Sequence, residues 1–353
     1  MSSSEQKSSN AFLDLLRRLR PELELRINKR YDDVARRGQG YGPAVAAMVE
    51  SARDLALRGG KRVRAGMLAA GWLAAGGDED LDIAVDGGVA FELFQTYLLI
   101  QDDWMDGDLT RRGGPSVHAA LAKTMGNEGR GASSAILASD LTWGLAVETF
   151  LQMERLTPET RLEALTTFVR VHEDVVIGQQ LDILADAKDA EVTHDLKTGS
   201  YTIRGPLILG AVMAKGSSEL KNVLTQFAQP LGVAFQLRDD LLGTFGDPAE
   251  TGKPVGNDIL VGKRTALIIA AEKLANDEER RAIQRAWGRS DATERELENA
   301  TAALISSGAR RSIEERQAAL CASALTLVET TPLVPPAVRP VLTGIVEAIK
   351  VVA

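Results

Sequence analysis

Four aspartates and two arginines follow an apolar run in the first third of the chain. The acids are Asp102, Asp103, Asp106 and Asp108, and the bases are Arg111 and Arg112. If the run FELFQTYLLI (91–100) is helical, Asp102 and Asp106 lie one turn apart with Asp103 beside them. Such a patch repels itself unless a cation lies among the carboxylates, and their oxygens suit Mg²⁺, which bridges to substrate phosphates. Since arginines bind phosphate oxygens well, the segment predicts a metal-dependent diphosphate site.

A second acidic site lies far downstream, in FQLRDDLLGTFGDP (235–248). Asp239 and Asp240 end another apolar helix after Gln236, and basic residues follow the pair. One acidic pair at a helix end is usually solvated surface, but two such pairs, each followed by basic residues, are harder to explain in that way. Antiparallel helices of a bundle could bring both pairs onto facing walls of one cavity, where metal ions would bridge them.

The segment LRGGKRVRAG places basic residues at the start of a helix. Gly59 and Gly60 let the backbone approach an anion, and Lys61, Arg62 and Arg64 supply positive charge. Cations oppose the helix dipole at this end, so a purely solvated basic start would be unfavourable. We therefore expect an anionic ligand here.

The composition argues against several other classes of protein. The 353 residues carry a net charge of −8 without a dense basic run, so we expect no nucleic-acid partner. Cys321 is the single cysteine, which excludes an internal disulfide and suits a reducing compartment. We find no apolar stretch of the ~18–20 residues that span a bilayer and no signal peptide. We expect a cytoplasmic protein without a transmembrane segment.

Apolar spacing predicts one helix after another. The predicted helical stretches are 12–25 with Pro21 as a bend or a boundary, 45–57, 61–75, 81–105, 132–155, 160–187, 191–215 with breaks at Gly199 and Gly205, and 218–242, with shorter helices after them. Glycine-rich loops are expected at 107–114 and 126–131, and the alternation typical of strands is hard to find. We therefore predict a disordered tail, residues 1–10, and a single all-α domain, residues 11–353.

Together these motifs resemble those of the trans-isoprenyl diphosphate synthases, the polyprenyl synthetase family. The motifs GGKRxR, DDxxD followed by RRG, KT, and FQxxDD followed by GK occur in the family's order between about Leu57 and Thr265. The resemblance implies a helical bundle around a deep central cavity, as in isoprenoid synthases. It also implies a Mg²⁺-dependent prenyltransferase, usually a homodimer, that condenses isopentenyl diphosphate head to tail with an allylic diphosphate.

The resemblance also assigns roles to individual positions. Isopentenyl diphosphate would be held by Gly60, Lys61, Arg64, Gln95 and Arg112. Two to three Mg²⁺ ions would be bound by Asp102, Asp103 and Asp106 on one side of the allylic diphosphate and by Asp239 on the other. The allylic diphosphate would be held by Arg111, Lys197, Lys253 and Lys263, and the reacting carbons would be lined by Gln179, Thr198 and Gln236. Asp240 would complete the catalytic set.

The chemistry implied by the resemblance suits these residue types. Breaking an allylic C–O bond leaves a carbocation and places negative charge on the departing diphosphate. Metal ions and fixed lysines and arginines stabilise that charge, and a dry pocket protects the cation from water. No histidine or serine nucleophile is required. The histidines share no metal-ligand spacing and are interpreted as structural or surface residues: His118, His172 and His194.

The chain departs from the family pattern at three positions. Gly243 stands at the last position of the second DDxxD motif, Gln101 where His is common, and Ala65 where Pro is common. Asp247 could compensate for Gly243, or Asp239 and waters could hold the outer metal. A weakly active subunit of a heteromeric synthase is therefore one alternative, although such subunits tend to lose the first motif, which is intact here.

A second alternative is a class I terpene cyclase, which shares the helical fold and the DDxxD motif. Such a cyclase would carry an Asn/Asp-Ser-Glu metal motif in place of the second acidic pair. It would not need GGKRVR for a second diphosphate.

Product length depends on the floor of the cavity. A chain growing from the first acidic motif must run along the helix that carries it, so Tyr97 and Leu98 would form the floor. The resemblance associates an aromatic at the fifth position before DDxxD with medium products. Leu98 leaves more room than an aromatic would, which favours geranylgeranyl diphosphate, with a farnesyl or longer product as the alternative. The alternative is that Tyr97 is simply a core aromatic whose hydroxyl finds a partner.

Overall fold

The computed structural model describes residues 10–184, 195–246 and 256–350. The chain groups into two compact units. The first comprises Met1–Val176, Ser200–Thr225 and Thr331–Ile345, and the second comprises Ile177–Gly199, Gln226–Thr330 and Val346–Ala353. The single domain predicted from the sequence stays a prediction.

Of the residues that the structure describes, 79% are helical and very few are in strands, which confirms the all-α prediction. In the first half the helices are α1 (Ala11–Gly38), α2 (Pro43–Leu57), α3 (Val63–Ala74), α4 (Asp82–Met105), α5 (Val117–Met125), α6 (Glu128–Leu151) and α7 (Pro158–Leu184). A π-helix (Asp195–Arg204) is followed by α8 (Gly205–Met213), α9 (Ser218–Phe245), α10 (Asn257–Leu260), α11 (Ala266–Leu274), α12 (Asp277–Ala286), α13 (Glu294–Ser306), α14 (Ala309–Thr330) and α15 (Arg339–Ile349). A two-residue antiparallel hairpin joins β1 (Thr110–Arg111) to β2 (Gly114–Pro115) between α4 and α5.

Helix α4 is the centre of the first unit. It packs against α6, and α3 packs against both α4 and α8. Contrary to the sequence-based expectation, α4 is long and apolar enough to cross a membrane, with a mean hydropathy of 1.4 over its most apolar 18 residues. However, 83% of that window is buried inside the protein, and a helix that is apolar on all sides is typical of a protein core.

Two glycines bring the backbones of α3 and α8 into contact. A Cβ atom on Gly71 would lie 2.8 Å from the carbonyl carbon of Leu207, and a Cβ atom on Gly210 would lie 2.7 Å from the backbone nitrogen of Trp72. Such distances leave room only for hydrogen, so glycine at both positions sets the spacing of the two helices.

The first helix differs from the prediction because Pro21 lies inside it. Helix α1 continues unbroken from Ala11 to Gly38, and Asn10, the last residue of the expected tail, caps its start. An internal proline removes one helical hydrogen bond and costs about 3 kcal/mol. The buried residues Leu19 and Leu23 flank the proline, and packing of this face outweighs that cost.

The loop predicted at 126–131 is mostly helix. The side chain of Asn127 accepts a hydrogen bond from the backbone of Arg130 and caps α6, which begins at Glu128. Gly131 lies inside α6, and a Cβ atom there would lie 2.5–2.7 Å from Ala122 of α5. Glycine at this position therefore permits close helix packing and does not form a loop.

The second unit is built from short amphipathic helices with well-defined starts. Capping boxes open α12, through Asn276 and Glu279, and α13, through Thr293 and Glu296. The C-terminal part of α9 contributes Leu237 to a second apolar core in this unit. This part of α9 carries the second acidic motif.

Candidate active site

The first acidic motif occupies the C-terminal end of α4, in the first unit. Asp102 and Asp103 lie in the last turn and Asp106 is the C-cap. Carboxylates are unfavourable at this end of a helix dipole, so the motif needs nearby positive charge. Arg111 supplies it: its Nε lies 2.5 Å from Oδ1 of Asp103, and its Nη2 lies 3.0 Å from Oδ2 of Asp108.

One carboxylate oxygen of this motif lacks a partner in the protein. Asp103 is fully buried, and its Oδ2 atom makes no hydrogen bond to the protein. Burial raises the pKa of Asp103 above its ordinary value, even though Arg111 beside it favours the charged form. A buried acceptor without a donor is costly, so this oxygen suits a cation or a water bound to one. The residues present therefore fit a hard metal ion.

The hairpin after α4 presents the two arginines. Residue 112 adopts a left-handed backbone conformation with φ of 52°, which turns its side chain back towards α2. There Nη1 of Arg112 lies 3.4 Å from the carbonyl oxygens of Leu55 and Arg58, and the guanidinium lies against Gly60. Burial, together with the positive charges of Arg62 and Arg64, lowers the pKa of Arg112. An anion bound here would stabilise the charged form of Arg112 against its burial and against the neighbouring positive charges.

Arg58 holds this hairpin to α2. Its Nη1 donates hydrogen bonds of 2.8 Å to the carbonyl of Arg111 and 3.0 Å to the carbonyl of Pro115. The guanidinium lies flat against Gly114, where a Cβ atom would be 2.9 Å from Nε. A salt bridge to Asp54 completes the anchor. Sequence reasoning missed Arg58 because no spacing pattern links it to the hairpin.

The GGKR segment turns its charged groups in different directions. Lys61 is exposed before the start of α3, and Gly60 accepts a hydrogen bond from Arg20 at 2.7 Å. Arg64 donates to Oγ1 of Thr202 at 2.8 Å and lies 4.2 Å above the ring centre of Tyr201, both in the π-helix. Thr202 and Tyr201 were not foreseen, because the sequence does not show that the π-helix lies beside α3.

Three buried polar atoms of the described residues in this region have no protein partner. They are Nε of Arg62, Nε of Arg64 and Oε1 of Gln95. Arg64 and Gln95 were both predicted to bind isopentenyl diphosphate. Diphosphate oxygens accept hydrogen bonds, so such a ligand would satisfy Nε of Arg64 but not Oε1 of Gln95.

Arg62 corrects the sequence analysis, which counted it among the groups that supply charge to an anion. Its side chain is buried and points inward, with Nη1 3.0 Å from Oε2 of the buried Glu92. Nη2 donates to the carbonyl of Ala56 at 3.0 Å. A buried carboxylate requires a cation, so Glu92 in the apolar run of α4 was the signal for this pairing.

Tyr97 lies in an aromatic cluster in the first unit. Its ring centre is 5.6 Å from Trp143 and 5.5 Å from His172, and its hydroxyl oxygen lies 3.1 Å from Nε2 of His172. Leu98, the other predicted floor residue, is partly buried beside the same core. These contacts agree with the interpretation of Tyr97 as a core aromatic whose hydroxyl has a partner. Its role as the floor of the cavity stays a prediction.

In the second unit, Asp239 and Asp240 have different surroundings. Asp239 is exposed, whereas Asp240 is fully buried. Asp240 accepts hydrogen bonds from Nε2 of Gln236 at 2.8 Å and from the backbone nitrogen of Ala266 at 3.0 Å. Nζ of Lys263 lies 3.8 Å from Oδ1 of Asp240. Asp240 therefore has a structural role, because its contacts join α9 to the segment that contains Lys263 and Ala266.

Three glycines place the KT motif. A Cβ atom on Gly178 of α7 would lie 2.8 Å from Cα of Lys197, and a Cβ atom on Gly232 of α9 would lie 3.1 Å from Cα of Gly199. Lys197 is fixed further by a contact of 2.6 Å from its Nζ to Oδ2 of Asp182. The motif lies in a π-helix, a feature often found at functional sites.

Thr198 and Gln179 are partly exposed in the second unit. Lys253, Asp247 and His194 lie outside the described residues.

Metal binding here would rely on few direct ligands. Within residues 10–184, 195–246 and 256–350, no group of three or more His, Cys, Asp or Glu side chains is arranged to hold a metal ion. Mg²⁺ commonly takes one or two carboxylates and completes its shell with waters and substrate phosphates. Such a site does not need a closed cage of side chains.

The fold and these motifs define an all-helical enzyme built to bind diphosphate groups. The chain belongs to the polyprenyl synthetase family, whose sequence profile matches residues 45–304. It is therefore a transferase, and the predicted prenyltransferase activity is confirmed.

Relatives with known activities support this membership. The chain is 31% identical to a geranylgeranyl diphosphate synthase of Sulfolobus acidocaldarius, covering 72% of this chain and 75% of the relative. It is 33% identical to a geranylfarnesyl diphosphate synthase of Aeropyrum pernix, covering 73% and 79%.

A solved structure is similar over nearly the whole chain. It is a geranylgeranyl pyrophosphate synthase from Corynebacterium glutamicum complexed with isoprenyl diphosphate and magnesium. The two chains share 32% identity and a TM-score of 0.81, covering 93% of this chain and 98% of that one.

Proposed function

We propose that the protein condenses isopentenyl diphosphate with an allylic diphosphate in a Mg²⁺-dependent elongation whose main product is geranylgeranyl diphosphate. The observation that carries the proposal is Asp103, buried beside Arg111 with one oxygen that has no protein donor. An acid in this condition favours binding of a cation. Asp102, Asp103 and Asp106, together with Asp239, are the proposed ligands for two to three Mg²⁺ ions.

Isopentenyl diphosphate is proposed to bind at the basic surface formed by the GGKR segment and the hairpin. The residues are Gly60, Lys61, Arg64, Gln95 and Arg112. Support comes from the lowered pKa of Arg112 and from the unpartnered Nε of Arg64, which can donate a hydrogen bond to a diphosphate oxygen. An anion between these side chains would offset their mutual repulsion.

The allylic diphosphate is proposed to be held by Arg111, Lys197, Lys253 and Lys263. Bound Mg²⁺ supplies further positive charge to the departing diphosphate. Thr198, Gln179 and Gln236 are proposed to line the reacting carbons, where their dipoles ease the carbocation. Both acidic motifs are proposed to act on this one diphosphate, so that Asp102 and Asp239 contribute to the same chemical step.

The preference for geranylgeranyl diphosphate is supported by the relatives and by the position of Tyr97. Two of the similar proteins described above bear the name of geranylgeranyl synthases. Tyr97 lies five residues before Asp102 on α4 and is braced by Trp143 and His172, as a rigid floor would require. Leu98 is smaller than an aromatic and leaves room for a longer chain than farnesyl.

We also propose a cytoplasmic homodimer. The single cysteine, Cys321, is buried and suits a reducing compartment. Ile136 and Leu137 of α6 are 39% and 58% exposed, and adjacent exposed apolar side chains suit contact with a second copy. Light scattering of the purified chain would give a dimer mass, and a stable monomer mass would contradict this part of the proposal.

The decisive experiment uses the purified chain alone. It is incubated with isopentenyl diphosphate and, in separate reactions, dimethylallyl, geranyl or farnesyl diphosphate, each with and without Mg²⁺. The released alcohols are sized after phosphatase treatment. A C20 product that requires Mg²⁺ supports the proposal. No product from any primer would instead favour a subunit of a heteromeric synthase, and a cyclic product without isopentenyl diphosphate would favour a terpene cyclase.

A further inference from the structure

The GGKR segment has a backbone that needs support from outside. Gly59, Gly60 and Arg62 have positive φ angles of 65°, 94° and 55°. Glycine enters such conformations at little cost and leaves them as easily, so the two glycines give this backbone many alternative paths. Gly60 and Lys61 are proposed to bind isopentenyl diphosphate, so their positions depend on contacts that other elements make with the segment.

Helix α1 makes two such contacts. Nη2 of Arg20 donates a hydrogen bond of 2.7 Å to the carbonyl oxygen of Gly60. Oε1 of Glu24 lies 3.5 Å from Nη2 of Arg62. Residues 20 and 24 are four apart in α1, so they lie on one face of the helix, one turn from each other. This face of α1 therefore holds the GGKR segment at two points.

Gly60 also lies against one of the proposed ligands of the diphosphate. A Cβ atom on Gly60 would be 3.2 Å from Nη2 of Arg112 and 3.3 Å from its Cζ. The bond between Gly60 and Lys61 is trans, so the carbonyl of Gly60 and the N–H of Lys61 point in opposite directions. Because Arg20 fixes the carbonyl, it also fixes the direction of this N–H and the backbone surface that Arg112 contacts.

We propose that Arg20 is a positioning residue for the isopentenyl diphosphate site. It holds the peptide between Gly60 and Lys61 in the orientation in which this backbone and Arg112 bind the same diphosphate. The inference rests on the proposed function and extends the site to a residue that lies outside all of its motifs. The Arg20 side chain is exposed, and one exposed hydrogen bond adds little to stability, so its loss affects binding more than folding.

The test compares Arg20→Ala with the unchanged chain and with Arg18→Ala. Arg18 is the matched control, because it is also exposed on α1 and donates to a backbone carbonyl, that of Glu79 at 3.3 Å, outside the GGKR segment. Steady-state kinetics give kcat and the KM values for isopentenyl and farnesyl diphosphate. Titration calorimetry gives the Kd for isopentenyl diphosphate, and thermal unfolding gives the melting temperature.

We expect Arg20→Ala to raise the KM and the Kd for isopentenyl diphosphate by about 10-fold, the usual effect of losing one hydrogen bond from a charged group. The value of kcat and the KM for farnesyl diphosphate are expected to stay within about two-fold, since only ground-state binding of one substrate is weakened. Arg18→Ala is expected to match the unchanged chain in every measurement.

Salt separates positioning from simple attraction of the diphosphate by the charge of Arg20. Attraction by an exposed charge is screened as the ionic strength rises, whereas the orientation of a peptide bond is not. The ratio of the KM values for isopentenyl diphosphate in Arg20→Ala and the unchanged chain is therefore expected to stay constant between about 0.05 M and 0.5 M salt.

Three outcomes would overturn the inference. The first is a KM for isopentenyl diphosphate in Arg20→Ala equal to that in Arg18→Ala. The second is a KM ratio that falls towards one at high salt, which would make Arg20 a source of charge only. The third is loss of folding or a general loss of kcat in Arg20→Ala, which would make its role structural. Failure of the proposed function differs from all three, because then the unchanged chain itself neither binds nor consumes isopentenyl diphosphate.

Discussion

The hydroxyl oxygen of Tyr97 lies 3.1 Å from Nε2 of His172, and the ring of His172 stacks on Trp143 with 4.1 Å between ring centres. Burial lowers the pKa of His172 and so favours the neutral imidazole, one nitrogen of which can accept a hydrogen bond from the hydroxyl. The three side chains brace one another, and the orientation of Tyr97 is fixed by both stacking and hydrogen bonding.

Tyr97→Ala is expected to lengthen the main product. Removing the ring opens space along α4 below Asp102, into which a growing chain can extend. Radiolabelled products sized after phosphatase treatment would show the shift. Tyr97→Phe keeps the ring and loses only the hydroxyl, so it is expected to retain the product length. An unchanged chain length in Tyr97→Ala would remove Tyr97 from the floor.

Asp102→Ala and Asp239→Ala are each expected to lower turnover by at least ~10²-fold, the usual effect of losing one group that stabilises transition-state charge. Steady-state kinetics at saturating Mg²⁺ would measure the loss. The double variant is expected to lose less than the product of the two factors, because both acids serve one leaving group. Glu298→Ala, an exposed acid of the second unit, is the control. Near-normal turnover in either single variant would refute the metal assignment.

Breaking the buried pair of Arg62 and Glu92 is expected to destabilise the fold. Glu92→Leu removes the buried carboxylate and leaves the buried guanidinium with only the partly exposed Glu24, 3.5 Å away, and breaking such a buried pair typically costs about 3–5 kcal/mol. The double variant Arg62→Met/Glu92→Leu removes both charges and is expected to recover most of that loss. Urea unfolding followed by circular dichroism measures the differences. Arg17→Ala, which breaks an exposed pair with Asp14, is expected to change stability by less than about 1 kcal/mol.

Asp82 is expected to make stability depend on pH in the acid range. Hydrogen bonding from Arg26, followed by that from Arg155, lowers its pKa in the folded protein. A group with a lowered folded pKa contributes stability above its unfolded pKa of about 3.9 and loses it as pH falls through the folded pKa. The stability gap between the unchanged chain and Asp82→Asn is therefore expected to be widest above about pH 5 and to close below about pH 4. A gap that stays constant from pH 7 to pH 3 would contradict this role.

Arg58→Ala is expected to loosen the hairpin that carries Arg111 and Arg112. Without its two hydrogen bonds to the hairpin backbone, both guanidinium groups lose their fixed positions, so the KM for isopentenyl diphosphate should rise. Arg53→Ala, also in α2, breaks only ion pairs to Asp32 and Glu50 and serves as the control. If the two variants have the same KM, Arg58 has no positioning role.

The helical class and the family were predictable from the sequence because both depend on local patterns. Apolar spacing marked α4, and the acidic and basic motifs lie where helices begin or end. Boundaries were less predictable at Pro21 and Gly131, since both lie inside helices whose packing overrides the local preference.

The surroundings of individual site residues were not predictable, because they depend on contacts between distant segments. The sequence alone gave Arg62 and Arg64 the same role, yet one is paired with Glu92 and the other lies over Tyr201. Likewise, Gly243 looked like a lost ligand, and only the fold brings Asp258 against it. Pairings of this kind have no fixed spacing along the chain.

The close contact between α3 and α8 affects the geometry of the proposed binding site for isopentenyl diphosphate. Arg64 is carried by α3, and Thr202 lies just before α8, so the backbone contact at Gly71 and Gly210 fixes the distance between the two. No side chains lie between the helices at these points that could repack and let them slide. This part of the proposed isopentenyl diphosphate site is consequently preorganised, and little affinity for a diphosphate bound there would be lost in assembling it.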